Sequence, residues 1–523
     1  MSVTQAPPTQ VVDRSGDRRR SGPLIAGVVA GLVVVTFIPL GYVAWAFVTT
    51  GPSRAAELIL RPRVGELLLN TVGLVVVTVP LCVVIGVGAA WLVERTDVTG
   101  RALWRPLLVA PLAIPAFVNS YAWVSVVPGL HGFTGAAVVT TLSYFPLVYL
   151  PAAATLRRLD PALEESARSL GSGSAAVFAR VVVPQLRLAV LGGGLLISVH
   201  LLAEYGAFAM LRFNTFTTAI FEQFQATFDG AAGSMLAGVL VLLCLVLLVG
   251  EASARGRARF ARVGSGSPRP ADVVRLGMMR PVAVISLTTL AGLAVGVPAW
   301  TILRWLRIGG RQVWDLTDVS TTLGQTIGLA TAGALAATVL AYPVAWVAVR
   351  TRGPLARFVE GANFVTSSLP GIVTALALVT VAIRVAPPLY QTVLVLLCAY
   401  VLMFIPRALV SVRAGLAQVP VGLEEASSIL GTSPATTFTR VTARLTAPAA
   451  ASGAAMVFVA VATELTATLL LAPTGTRTLS MRFWSLASEL DYAAAAPYAA
   501  IMVVLALPVT MLLVRQSSKV AAL

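Results

Sequence analysis

The chain has 523 residues, of which 57% are hydrophobic and only 11% charged, with a mean hydropathy of +0.86. A soluble protein of this length carries about a quarter charged residues, so this composition excludes a water-soluble enzyme or scaffold. The net charge of +16 sits in short loops between apolar runs, without interleaved aromatics, which argues for membrane orientation and against a nucleic-acid partner.

An apolar helix needs about 20 residues to cross the hydrocarbon core. A polar, Arg-rich tail (1–23) leads into six expected spans at roughly 24–49, 67–93, 104–127, 134–156, 189–211 and 232–250. The first exceeds the apolar core of a signal peptide and lacks a small-residue cleavage site, so it reads as an anchor. A stretch rich in Arg, Gly, Ser and Pro (251–281) reads as a linker. Six more spans are expected at roughly 282–303, 322–348, 358–383, 388–410, 449–472 and 495–515, before a short tail (516–523). The two halves are therefore 24–250, with a core from about 66, and 282–515, with a core from about 320. Most of the Lys and Arg residues fall in the termini and in alternate loops, which places both termini in the cytoplasm.

The halves are internal repeats. The run from Asn70 matches the run from Gln325, with Trp91 opposite Trp346, Arg95 opposite Arg350 and Pro115 opposite Pro370. Pro151 and Pro406 are paired in the same register, so the later change of register reads as about five residues inserted in the second cytoplasmic loop. Past it, LEESARSLGSGSAAVFARVVVP from Leu163 returns as LEEASSILGTSPATTFTRVTAR from Leu423. Each copy opens with a helix-favouring Leu-Glu-Glu run and breaks at a glycine, Gly171 or Gly431, where a left-handed helix end is expected. Two short helices meeting at a bend between spans would form a knob suited to docking a partner.

Cys82, Cys244 and Cys398 lie in apolar spans without paired spacing and read as small buried hydrophobes. His131 and His200 are too few and too far apart for a metal cage, and no stable metal site or bound cofactor is expected.

Glu204 and Glu464 are equivalent positions deep in their spans, Glu204 about 22 Å of helix from the cytoplasmic side at 1.5 Å per residue. A carboxylate at that depth costs several kcal/mol unless it faces protein or water. Either the pair faces a central pathway and offers oxygen ligands to a passing cation, or each pins helices at the external interface between the halves. Tyr205 and His200, on the same helix, read more readily as packing residues, although Tyr205 is kept as a pathway candidate. Glu165 and Glu425 sit early in a short helix, where the dipole favours negative charge. Their duplication favours docking to a partner over simple solubility. The segments Arg212 to Gly230 and Pro473 to Tyr492 are long, aromatic and Thr-rich, and read either as lips of an external opening or as interfacial sequence.

At these loops the chain resembles the permease subunits of ABC importers. Their pattern is Glu-Ala-Ala, three residues, Gly, nine residues, then Ile-x-Leu-Pro. Glu165-Ser166-Ala167, Gly171 and Val181-Val182-Val183-Pro184 match it, as do Glu425-Ala426-Ser427, Gly431 and Val441. Ala443 and Arg444 replace the closing Leu-Pro, which leaves the geometry of the second exit helix open. The resemblance implies an all-α integral membrane protein, about twelve transmembrane helices in two parallel-related six-span halves, with the MetI-like permease fold. It implies coupling helices built on Glu164, Glu165, Ala167, Gly171 and Pro184, and on Glu424, Glu425, Ala426 and Gly431. It also implies two copies of a separate ABC ATPase, because no GxxxxGK[ST] loop occurs in this chain. The remaining implied partner is an extracytoplasmic substrate-binding protein at the plasma (inner) membrane. The fused form, with the stretch Leu201 to Phe224, most resembles the ferric-iron permeases. Iron(III) is therefore the expected cargo, with thiamine, polyamine or phosphonate as alternatives. An ion-coupled secondary transporter would also give twelve spans in two halves, but leaves the duplicated loops unexplained.

Overall fold

A computed structural model describes residues 23–159, 161–225, 230–255, 273–351 and 353–519. Nearly all of the expected N-terminal tail, most of the expected linker and the last residues of the C-terminal tail lie outside the described residues. Every regular element among the described residues is helical, apart from one isolated parallel bridge between Thr96 and Val274. Among the described residues eight helices are long and apolar enough to cross a bilayer alone, and four further pairs qualify if each bent pair forms one span.

The departures from straight spans have local causes. The expected spans 104–127 and 358–383 turn through 95° and 101° between Ala113 and Ala116 and between Ser367 and Gly371. Pro115 and Pro370 sit at these corners with ψ near 140°. A proline has no amide proton to continue a helix and pushes the preceding residue toward extended backbone. The expected spans 189–211 and 449–472 are also cut. Helix Arg187–Ala203 stops at Glu204 and helix Ala443–Ala462 at Thr463, and the short helices Gly206–Met210 and Thr466–Leu471 follow.

The register change between the repeats lies elsewhere than the second cytoplasmic loop. Gly193 packs against Val148 and Gly453 against Ala408, both pairs related by 260 residues. The helical region from Gly132 to Arg158 likewise corresponds to Val393–Gln418 along its whole length. The extra residues instead lengthen helix Gly371–Val385 relative to Ala116–Val126 and widen the turn after it. Pro406 accordingly matches Pro146, not Pro151.

The two longest helices, Pro62–Arg95 and Leu316–Arg350, have 34 and 35 residues. At about 1.5 Å per residue each is roughly 50 Å long, well beyond the hydrocarbon thickness. They end at the equivalent residues Arg95 and Arg350.

The halves exchange their leading helices. Ala283, Leu287, Ala291 and Ala294 of the second half are buried in the core of the first, among Leu142, Phe145 and Leu211. Val29, at the start of the chain, is buried in the core of the second half with Tyr400 and Val457. The bent helices cross over as well: Phe117 and Tyr121 pack on Phe483, and Leu376 joins the cluster around Phe216 and Leu240.

The chain entering the second half is clasped to the turn after Arg95. Val274 N–H donates to the Arg95 carbonyl at 2.8 Å, and Asp97 N–H donates to the Val274 carbonyl at 3.1 Å. The Asp97 carboxylate accepts from Leu276 N–H at 2.8 Å and pairs with Arg280. The Leu276 amide, reinforced by Arg280, holds the Asp97 carboxyl below the usual carboxylate range.

Candidate functional site

Two constellations stand out. The first is the pair of short helices Pro161–Ser169 and Val421–Ile429, each followed by a glycine with positive φ, Gly171 (+86°) and Gly431 (+78°). Ser172 N–H donates to the Ala167 carbonyl and Gly171 N–H to the Arg168 carbonyl, at 3.0 and 2.9 Å. Thr432 and Gly431 repeat this on Ser427 and Ser428 at 3.3 and 3.0 Å. That is the six-to-one, five-to-two pairing of a Schellman helix end, in which the glycine escapes a Cβ clash.

The two glutamates of each Leu-Glu-Glu run do different work. Glu165 and Glu425 are exposed, whereas Glu164 and Glu424 are buried. Glu164 pairs with Arg95, and both side chains are under 10% exposed; Arg168 lies 3.6 Å from its other oxygen. Glu424 pairs with Arg350 at 3.2 Å and accepts from the Thr442 hydroxyl at 2.9 Å. Each short helix is therefore bolted to the end of a 50 Å helix by an ion pair out of water. An aromatic contact repeats beside each bolt: Trp91 meets Phe178 at 5.7 Å, and Trp346 and Tyr342 meet Phe438 at 6.4 and 5.4 Å. Arg95 and Arg350 were not among the expected coupling residues. The signal for them was present, since an Arg and a Glu are both duplicated at corresponding places.

The loops differ in how they close and leave. Ser427, Thr432 and Thr437 share a hydroxyl triangle of 2.7–3.1 Å, where the first loop has Ala167, Ser172 and Val177. Both then pass through a five-residue π-helix, Phe178–Val182 or Phe438–Thr442. Beyond it the first half, with Pro184, bends by 56° into helix Arg187–Ala203. The second, with Ala443 and Arg444 instead, runs on to Ala462 as one span. The substituted Leu-Pro thus marks a real difference in geometry.

The second constellation is the seam where the broken helices meet. Glu204 Oε1 accepts from Ala207 N–H at 2.9 Å and Oε2 from the Tyr144 hydroxyl at 2.8 Å. Glu464 accepts from Ala467 and Thr468 N–H at 2.9 Å each and from the Thr468 hydroxyl at 2.6 Å. Both carboxylates cap the short helix that follows the break, supplying acceptors that its first amides otherwise lack. The backbone carbonyls of Glu204 and Glu464 also accept equivalent hydroxyl bonds, from Thr217 and Ser480, at 2.6 Å. The two carboxylates are near enough to interact electrostatically, and both residues remain partly exposed. Gly206 has no room for a Cβ because Leu465 of the other half and Phe117 press on it. Tyr205 is buried, its ring tilted against Phe221 at 4.2 Å and Trp484 at 5.5 Å. Among the described residues no cluster of three or more His, Cys, Asp or Glu could hold a metal ion.

Comparison with known proteins matches this chain twice to one family, described as the binding-protein-dependent transport system inner membrane component, over residues 82–251 and 316–521. The Fe(3+)-transport system permease protein FbpB 2 of Haemophilus influenzae is 35% identical over 469 residues, covering 89% of this chain and 93% of that protein. A sulfate transport system permease protein, CysW of Synechocystis, is 32% identical over 200 residues, 34% of this chain and 72% of its own length. The spermidine/putrescine permease PotB of Escherichia coli is 25% identical over 204 residues, 33% of this chain and 74% of its own length.

Proposed function

The chain belongs to the family of binding-protein-dependent transport system inner membrane components, and from that premise we propose that it imports iron(III) in an ATP-driven complex. It is a multi-pass membrane permease and not itself the ATPase. The energy would come from two copies of a separate ABC ATPase, one under each short loop helix, and the cargo from an extracytoplasmic binding protein. Both termini would lie in the cytoplasm, on the Arg-rich side, and the chain would need no cofactor of its own.

The observation that carries this reading is the duplicated bolt of Arg95 to Glu164 and Arg350 to Glu424. A force on either loop helix passes directly to the end of a long span, as coupling to a partner outside the membrane requires. The exposed faces of those helices, with Glu165, Leu170, Glu425 and Leu430, are free to meet a partner. A secondary transporter has no use for such levers. Iron(III) is favoured by the 35% identity to a ferric permease across nearly both full lengths. The sulfate and polyamine relatives match about one-third of this chain. Under this reading Glu204, Glu464 and Tyr205 flank the path, the carboxylates holding its two broken helices open at the seam.

The test is to purify the complex through a tag on this chain and reconstitute it with its binding protein in vesicles. Uptake of 55Fe that requires both ATP and the binding protein supports the proposal. Uptake driven by an ion gradient without an ATPase would overturn it.

A further inference from the structure

One charged side chain in the seam is used by nothing described so far. Arg407 lies in helix Val393–Gln418, about 21 Å of helix from its start at 1.5 Å per residue. It is exposed, and Val410, one turn further on, is 67% exposed. No carboxylate pairs with Arg407 among the described residues. Its guanidinium lies 5.2 Å over the ring of Phe404 and close enough to His200, on the other half, to interact with it electrostatically. His200 Nδ1 is 2.7 Å from the Leu196 carbonyl and so donates, which turns Nε2 away from its own backbone. The same ring lies 5.4 Å from Tyr144, the residue that donates to Glu204. Met403, one turn before Arg407, packs over Gly371 beside the Glu464 carboxylate. The seam is thus layered: carboxylates at the helix breaks, then a guanidinium and an imidazole about one turn deeper.

The carboxylates are duplicated, as the scaffold is. The cationic layer is not. In the 260-residue register Arg407 corresponds to Leu147 and His200 to Ala460. The fold therefore works without these charges in the other half, and an unpaired guanidinium inside a span is retained at a cost of several kcal/mol.

We propose that Arg407 and His200 form an anion-accepting station in the translocation path, taking a phosphate or carboxylate group that crosses with the cargo. Resting on the iron reading above, this means the ferric ion moves as an anion-ligated complex. A bare trivalent cation would be repelled at a fixed guanidinium that no carboxylate pairs with. A ferric ion with an oxyanion bound presents that oxyanion to the fork of Arg407, whose planar donors fit such groups in pairs.

The test uses the complete importer in vesicles, loaded outside with 55Fe together with either [32P]phosphate or [14C]citrate. One of the anion labels is expected to accumulate with the iron in fixed proportion. Arg407→Gln should lower uptake of both labels by about tenfold or more, as loss of a charged hydrogen-bond donor implies. Arg407→Lys should retain part of it, and His200→Leu, across the seam, should lower it less. Co-purification of the ATPase shows that each variant is assembled; if Arg407→Gln is not, the lysine and leucine variants decide. Iron entering with neither anion label, or at the wild-type rate in assembled Arg407 variants, overturns the proposal. Arg407-dependent entry of an anion label without iron would uphold the station and overturn the iron reading.

Discussion

Replacing Glu164 by alanine leaves Arg95 buried without its counter-charge. The guanidinium has no second carboxylate to turn to, and its Nη1 already lacks a partner among the described residues. Removing one member of a buried ion pair costs about 3–5 kcal/mol. At 1.4 kcal/mol per decade that shifts the seated-to-unseated balance of the loop helix by roughly two to three and a half orders of magnitude. A nine-residue helix does not persist in isolation, so the loop would lose its shape together with its seat. The expected outcome is loss of ATPase co-purification and of ATP-driven uptake. Glu424→Ala should do less harm, because Arg350 keeps a hydrogen bond to the Val419 carbonyl at 3.0 Å. The double replacement Arg95→Leu/Glu164→Leu removes the stranded charge and should recover much of the assembly, since apolar pairs often replace buried ion pairs without loss. The assay is the amount of ATPase retained per permease, measured for both single variants and the double as a mutant cycle. Wild-type retention in Glu164→Ala, or a double variant as defective as the single, would refute the argument.

Gly171→Ala and Gly431→Ala place a Cβ at left-handed φ, costing about 1–2 kcal/mol each; thermal release of the ATPase should occur at lower temperature in both. Glu165→Gln changes an exposed side chain, so loop folding should survive while coupling of ATP hydrolysis to uptake weakens; unchanged uptake would count against docking through this residue. Glu204→Gln and Glu464→Gln keep an acceptor at each helix break, so the complex should assemble while uptake falls; loss of assembly would assign the pair to the interface alone. The Asp97 clasp depends on a carboxyl whose folded pKa is depressed. Its contribution is present above the ordinary carboxylate pKa and is lost as pH falls through the depressed one. Proteolysis at the 256–272 segment should therefore be unchanged from neutral pH down to about pH 5 and change only in stronger acid, whereas Asp97→Ala should show the change already at neutral pH.

The repeat, the twelve apolar runs and the two glycine-broken loops were legible because each depends on composition or on near-neighbour spacing. The corners at Pro115 and Pro370 were not read, although proline's effect is local, because apolar composition runs on through both and a span tolerates an internal proline. Which glutamate of Leu-Glu-Glu turns inward could not be read from the loop alone: both lie on a short helix, and only the distant Arg95 decides. The breaks at Glu204 and Thr463 were hidden because the apolar composition continues across them; the clue was a carboxylate three residues before an amide it caps. The position of the inserted residues was misjudged because Pro151 and Pro406 coincide by chance in the earlier register, whereas packing of Gly193 and Gly453 pairs Pro406 with Pro146.

The exchange of leading helices bears on why the two halves form one polypeptide. Val29 is already embedded among residues of the second half, and Ala283, Leu287, Ala291 and Ala294 among those of the first. The Asp97 clasp fixes where the second half begins, whatever connects it to residue 255. Covalent continuity therefore contributes stoichiometry and pairing fidelity more than geometry. Two separately synthesised chains, cut between 256 and 272, should find each other and lock by mutual insertion, so that a split gene and a fused gene encode the same machine.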